Sequence, residues 1–470
     1  VVSEHPAPFV PEWLVAPDDA NDLAPLVWPE SASRTGDGVL AIGGVPATEL
    51  AARFGTPLYV IDEDGVRARA REVLAAFRSA AEAHGSRARV YYASKAMITT
   101  EIVRWVREEG LAVDVASGGE LEIALAAGAD PFHIGLHGNN KLPSELERAI
   151  EVGVGSIVID SEIELERIVG IARRRGVTQR VLLRVNTGVH AETHDFLATA
   201  HEDQKFGFPL ARAEDLVARI REHSELEFMG LHCHIGSQIF GASGFAESAE
   251  RLVEVHARLL EGGPVPVMNL GGGFGIAYTR VDDPTPIADL AAGIVEAVAG
   301  VCVARGIPLP NLAFEPGRTI IGRAGVTLYE VGTTKAVRVD DEHERLYVSV
   351  DGGMSDNART ALYGAQYSAR IASRVSSAGP VVSRVVGRHC ESGDIVVDHE
   401  HLPGDVAPGD LLAVPATGAY CYSLSSNYNA VPRPPVVAVS GGSARAIVRR
   451  ETIADLLARD LGVHPNEVAE

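Results

Sequence analysis

Val90-Tyr91-Tyr92-Ala93-Ser94-Lys95-Ala96 is a short apolar run of β character that ends on a lysine. Seven more such runs follow it, and their number decides the fold. They span residues 112–116, 133–137, 156–160, 181–186, 229–235, 267–270 and 312–315. Between them lie longer stretches of helical period, the alternation expected of βα units around a parallel sheet. In 101–109, Ile102, Val103 and Val106 share one side; in 246–260, Leu252, Val253 and Leu259 do the same. Eight units of this kind close a (β/α)8 barrel of the TIM type. An open doubly wound sheet has the same ingredients. However, the unusual residues fall at the carboxyl ends of at least five runs, and a barrel gathers those ends at one mouth.

After residue 325 the texture changes to strand-like runs at 326–331, 345–350, 381–386, 394–397, 411–414 and 436–439, separated by Gly, Pro and Asp. These predict a second, mostly β domain, a sandwich or partly open barrel. The expected division is 46–325 for the barrel, counting Pro57 to Asp62 as its opening run, and 1–45 plus 326–470 for the β domain. A chain of 470 residues, 46% hydrophobic, has ample material for these cores. Its net charge of −21 argues against nucleic-acid and anionic-membrane partners, which need a surplus of Lys and Arg. A small-molecule substrate is expected. Cys233, Cys302, Cys390 and Cys421 include no Cys-x-x-Cys pair, so neither a disulfide framework nor a zinc site is expected. No secretory leader is read in Val1 to Val10, and the apolar window 288–307 is interrupted by Asp289, Glu296 and Arg305. It reads as an amphipathic helix rather than a membrane span, and the expected location is the cytoplasm.

Lys95, at the end of its strand, would face a cleft. An amine partly withdrawn from water loses some preference for its ammonium form and can condense with an aldehyde cofactor. Gly271-Gly272-Gly273-Phe274-Gly275 would let backbone N–H groups approach an anion such as a phosphate, with Gly236-Ser237 adding a hydroxyl nearby. Glu315-Pro316-Gly317-Arg318 ends the eighth run with a carboxylate and a guanidinium three residues apart. The two either pair with each other or serve a phosphorylated pyridine, the acid keeping its ring nitrogen protonated. His232 and His234 alternate along a strand and so share a face. With no third ligand at suitable spacing, one imidazole lying against an aromatic ring is the preferred reading, and no metal is expected. Asp114 would balance the lysine's charge or cap the turn into 117–120. The long polar stretch 193–208 reads as a mobile lid.

Tyr92-Ala93-Ser94-Lys95-Ala96, His234-Ile235-Gly236-Ser237-Gln238, Gly271-Gly272-Gly273-Phe274, Glu315-Pro316-Gly317-Arg318 and Cys390-Glu391-Ser392-Gly393-Asp394 occur in that order. Together they resemble the barrel-type pyridoxal-phosphate decarboxylases, and within them the diaminopimelate decarboxylase family, from about residue 45 to 440. The resemblance implies an alanine-racemase-like architecture with pyridoxal 5'-phosphate bound as a Schiff base on Lys95. It implies that His234 stacks on the ring, that Ser237, Gly272 and Gly273 hold the phosphate, that Glu315 pairs with the ring nitrogen, and that Pro316 and Gly317 also bind the cofactor. Arg318 would be shared by cofactor and substrate, and Tyr420 would stand near both. Arg359 and Tyr363 would face the distal end of meso-diaminopimelate, Glu391 its distal ammonium, and Cys390 would return a proton to the carbanion. A homodimer with shared active sites is implied as well. The alternatives are a decarboxylase of ornithine or arginine, whose cationic ends an arginine would repel, and a regulator that binds the cofactor without catalysis.

Overall fold

The computed structural model describes residues 9–189 and 205–463. Two compact units divide it. The first comprises Val66–Ile276 and Pro284–Ile320; the second comprises Val1–Gly65, Ala277–Asp283 and Ile321–Glu470.

The first unit is the closed barrel. Its strands are Ala88–Ala93, Ala112–Val115, Ile134–Leu136, Ser156–Ile159, Gln179–Asn186, Leu226–His232, Val267–Asn269 and Asn311–Phe314. Each pairs in parallel with the next, and the eighth closes on the first through Phe314 opposite Val90. Each of the eight runs read from the sequence is one of these strands. The helices that follow them start sharply because serine or threonine caps them: Thr99, Ser117 and Ser161 each accept a hydrogen bond from a backbone N–H three residues on. Glycines in the left-handed region, such as Gly176 and Gly306, end the long helices. Between barrel and helices, Phe77 stacks on Phe314 at 3.9 Å between ring centroids, and Phe245 on Phe274 at 5.1 Å. Each such fully buried side chain contributes about 1.5–3 kcal/mol. The helix Ile287–Arg305 is long and apolar enough to cross a membrane. In the barrel it buries Leu290, Ile294, Val298 and Cys302 and leaves Asp289, Glu296 and Arg305 exposed, as the amphipathic reading expects.

The second unit is mostly β. Leu58–Asp62 lies in its sheet, antiparallel to Gly325–Arg338 and parallel to Val436–Ser440. This corrects the expected boundary at residue 46: the chain enters the barrel only after residue 65, because the opening run joins the β sheet. A further short excursion, Ala277–Asp283, also belongs to the β unit. Gly325–Arg338 is the long element of this sheet. Its first half pairs with Leu411–Pro415, and its second half, beyond a register shift at Gly332, pairs with Glu344–Val350. The amino-terminal residues form a small three-stranded sheet, whose Leu40 and Ile42 pack with Trp28, Leu58, Val60, Val326, Leu328 and Val437 into one core. Of the segment expected to form a lid, residues 193–204 lie outside the described residues; Phe208–Pro209 forms a short strand beside the fifth barrel strand.

Candidate active site

Lys95 sits in the single 3-10 turn that follows the first barrel strand, and Glu315 directly follows the eighth. Since those strands are neighbours, the amine and the acid emerge side by side at the carboxyl mouth. Glycine makes the junction close: the Ala93 N–H donates to Pro316 O at 3.1 Å, and a Cβ on Gly317 would stand 2.9 Å from Ala93 O and 3.0 Å from Ala96 Cβ. Lys95 is exposed at the mouth. It acts on a buried acid nearby. Burial, reinforced by the negative charge of Glu315, pushes the Asp114 carboxyl well above its ordinary range, while the Lys95 charge pulls it down.

Glu315 is 7% exposed. Asn269 Nδ2 donates to its Oε1 at 2.6 Å, and His232 Nε2 lies 3.2 Å from Oε1 and 3.3 Å from Oε2. His137 Nε2 is 3.5 Å from Oε1 and 3.8 Å from Asp114. Burial alone would raise the Glu315 carboxyl; the imidazoles of His137, His232 and His234 outweigh it and hold the acid well below its ordinary range. Burial pushes His137 down to about 3, so this imidazole is neutral at pH 7. The carboxylate is thus ionised and surrounded by N–H groups. His137 is what the sequence reading missed: it supplies, from another strand, the third group beside His232 and Glu315, whereas spacing along one strand showed no third ligand. The signal was available, because His137, Asp160 and Asn269 all stand at the carboxyl ends of barrel strands, where Asp114 and Glu315 also stand.

Around the glycine run the backbone is packed too tightly for any side chain. A Cβ on Gly272 would lie 2.1 Å from Glu315 O, and one on Gly273, at φ +110°, 2.3 Å from Gly236 O. The run therefore fastens the seventh strand's exit to those of the sixth and eighth, beyond the anion approach expected of it. The Gly272 N–H donates to His234 Nδ1 at 3.3 Å, so the ring hydrogen of His234 is on Nε2; burial, then the Lys95 charge, holds this imidazole well below its ordinary range and hence neutral. Arg318 donates to Ser237 Oγ at 3.0 Å, which places a hydroxyl and a guanidinium together for an anion.

Within the β unit, Arg359 is 6% exposed and has no carboxylate partner among the described residues. Its Nη1 donates to Tyr367 Oη at 2.5 Å, and its guanidinium lies 4.8, 5.6 and 6.0 Å from the ring centroids of Tyr278, Tyr367 and Tyr420. Tyr420 holds φ at +68°, strained for a residue with a side chain. Tyr363, four residues after Arg359 on a one-turn helix, is 43% exposed. Cys390 and Glu391 are exposed on a loop that is nevertheless fixed. Asn429 Oδ1 accepts from the Cys390 N–H at 3.2 Å, and Asp394 accepts from the N–H groups of His389 and Met354 at 2.7 and 2.6 Å. A side chain at Gly353 or Gly387 would collide with that Asp394 carboxylate.

An amine, an ionised acid, a neutral imidazole and a hydroxyl–guanidinium pair in one barrel mouth match a phosphorylated pyridine aldehyde, group for group. The family model described as "Pyridoxal-dependent decarboxylase, pyridoxal binding domain" matches residues 70–322. Fold and site thus define a barrel-type pyridoxal-dependent decarboxylase, alanine-racemase-like in architecture, with pyridoxal phosphate as its cofactor. The diaminopimelate decarboxylase of Mycobacterium tuberculosis is 53% identical over 447 residues, 93% of this chain and 98% of the relative; that of Bacillus subtilis is 44% identical, over 90% and 95%. The crystal structure of diaminopimelate decarboxylase from M. jannaschii, 33% identical, superposes with a TM-score of 0.85 over 92% of this chain and 98% of its own. The chain belongs to the diaminopimelate decarboxylase family.

Proposed function

We propose that this enzyme decarboxylates meso-2,6-diaminopimelate to L-lysine and CO2, the last step of lysine formation. The observation that carries the choice of substrate is Arg359: a buried guanidinium among phenol rings, without a carboxylate partner among the described residues, calls for an anionic ligand group. The distal carboxylate of diaminopimelate meets that need, whereas the cationic ends of ornithine and arginine do not.

When bound, pyridoxal phosphate supplies the electron sink that accepts the pair left by departing CO2. The protein does the rest. Lys95 would hold the cofactor through Nζ and yield that place to the substrate amine. Glu315 would retain a proton at the ring nitrogen, and His234 would lie against the ring. Ser237, Arg318 and the backbone at Gly272 and Gly273 meet the phosphate. Arg359 and Tyr363 take the distal carboxylate, Glu391 the distal ammonium, and Tyr420 and Arg318 the substrate's near end. Cys390 donates a proton to the reacting carbon; its exposure and fixed loop support that role. The active form is a homodimer with shared sites in the cytoplasm, acting on a small molecule without nucleic-acid or membrane partners.

Purified protein incubated with pyridoxal phosphate and diaminopimelate is expected to yield lysine by mass. Greater activity on ornithine or arginine would overturn the substrate; bound cofactor without CO2 release from any of the three would leave a binding protein.

A further inference from the structure

We propose that His232 and His137 are positioning residues that fix the Glu315 carboxylate against the cofactor's ring nitrogen. The inference rests on the proposed pairing of Glu315 with that nitrogen.

Four barrel strands converge on this one acid. Asn269 ends the seventh strand, His232 the sixth, His137 follows the third, and Glu315 follows the eighth. His232 Nε2 is almost equidistant from the two carboxylate oxygens, at 3.2 and 3.3 Å, so a turn of the carboxylate about its terminal bond would lose the contact. An ionised carboxylate only accepts, so His232 Nε2 carries the hydrogen. Its other nitrogen, Nδ1, is buried with no hydrogen-bond partner among the described residues, which leaves Glu315 as the ring's one hydrogen-bonding neighbour among them. Asn269 is itself held, because its Oδ1 accepts from the Gly271 N–H at 2.9 Å. His137 meets His232 edge to face, with ring centroids 5.1 Å apart, and its Nε2 faces both Glu315 and Asp114.

The residue type matters. A lysine or arginine beside Glu315 would bring a full charge that competes with the ring's N–H for the same carboxylate. An imidazole orients by a polar N–H, and His137, held neutral at pH 7 by burial, does so without that competition. Two purely structural residues would more cheaply be apolar, since a buried imidazole with an unpartnered nitrogen is costly.

The test uses holoenzyme carrying pyridoxal phosphate labelled with 15N in the ring, with loading checked by the mass of the borohydride-reduced Lys95 peptide. His232→Leu is expected to keep the cofactor but move the ring 15N resonance toward the unprotonated position. Its kcat should drop about 10–100-fold, the usual range for losing a supporting shell, while KM for diaminopimelate changes less than about threefold. His232→Gln, which restores an N–H where Nε2 stood, should recover most of both. His137→Leu should shift both readouts in the same direction by less, and it carries the test if His232→Leu does not fold. An unmoved resonance and unchanged kcat in His232→Leu would overturn the proposal, as would a Gln variant no better than Leu. Stoichiometric metal in the purified protein would also overturn it, since His137, His232 and Glu315 offer ligand atoms within 4.8 Å of one another. Wild-type protein that takes no cofactor on Lys95 would instead refute the underlying reading.

Discussion

Replacing Arg359 by methionine should separate catalysis from stability. The guanidinium is proposed to receive a substrate carboxylate through charge-assisted hydrogen bonds of about 1.5–3 kcal/mol each. Losing two of them costs about 3–6 kcal/mol, which at 1.36 kcal/mol per tenfold lowers kcat/KM by about two to four orders of magnitude. The folded protein alone has a different balance. Removing Arg359 forfeits its bond to Tyr367 and contacts with three phenol rings, the latter about 0.5–1 kcal/mol each, but also relieves a buried charge that has no carboxylate beside it. These terms nearly cancel, so the melting temperature should stay within about 4 °C of wild type. Steady-state kinetics on diaminopimelate and a thermal melt without substrate make the comparison. Undiminished kcat/KM would refute the substrate contact. A melt depressed as strongly as the activity would show that Arg359 is a structural cation and the rate loss a consequence of unfolding.

Other expectations follow from the same geometry. Lys95→Ala should abolish both the absorbance of covalently held cofactor and all turnover, and an unchanged spectrum would refute the assignment. Gly272→Ala forces a Cβ to within 2.1 Å of Glu315 O and should lower stability by more than the about 1–3 kcal/mol of ordinary overpacking; urea unfolding within 1 kcal/mol of wild type would contradict the packing described. Cys390→Ala, at an exposed position, should leave the melt unchanged while cutting kcat; full turnover would remove this thiol from the reaction. Asp356 offers a pH test. Burial, opposed by the hydrogen bond from Tyr329, lifts its carboxyl from 3.8 to about 7, so the folded state binds a proton that the unfolded state releases. Its contribution is complete below about pH 4 and is lost as pH rises through about 7. Wild type should therefore lose up to about 4 kcal/mol relative to Asp356→Asn between pH 4 and 8. Parallel pH–stability curves would exclude this.

The barrel was legible because each strand is a short apolar run bounded by cap residues and helical period, all local signals. The sheet that Leu58–Asp62 joins was not. A strand whose residues are all buried covers both faces whichever sheet receives it, and its partners lie more than 260 residues downstream in Gly325–Arg338 and Val436–Ser440. The same distinction runs through the site. Lys95 and Glu315 stood out because each ends a strand, but the support around Glu315 comes from strands three, six and seven, and no spacing along one segment could reveal it.

The placement of Leu58–Asp62 has a consequence for biosynthesis. This segment leaves the ribosome early, but its antiparallel neighbour, ending at Arg338, follows some 276 residues later, and its parallel neighbour later still. At 5–20 residues per second an apolar strand without its mates persists for roughly 14–55 s, while an entire barrel is translated behind it. Nascent chains stalled anywhere in that interval carry an open edge ready to pair with a second copy, so slow translation or truncation before residue 325 should favour aggregates seeded by residues 58–62.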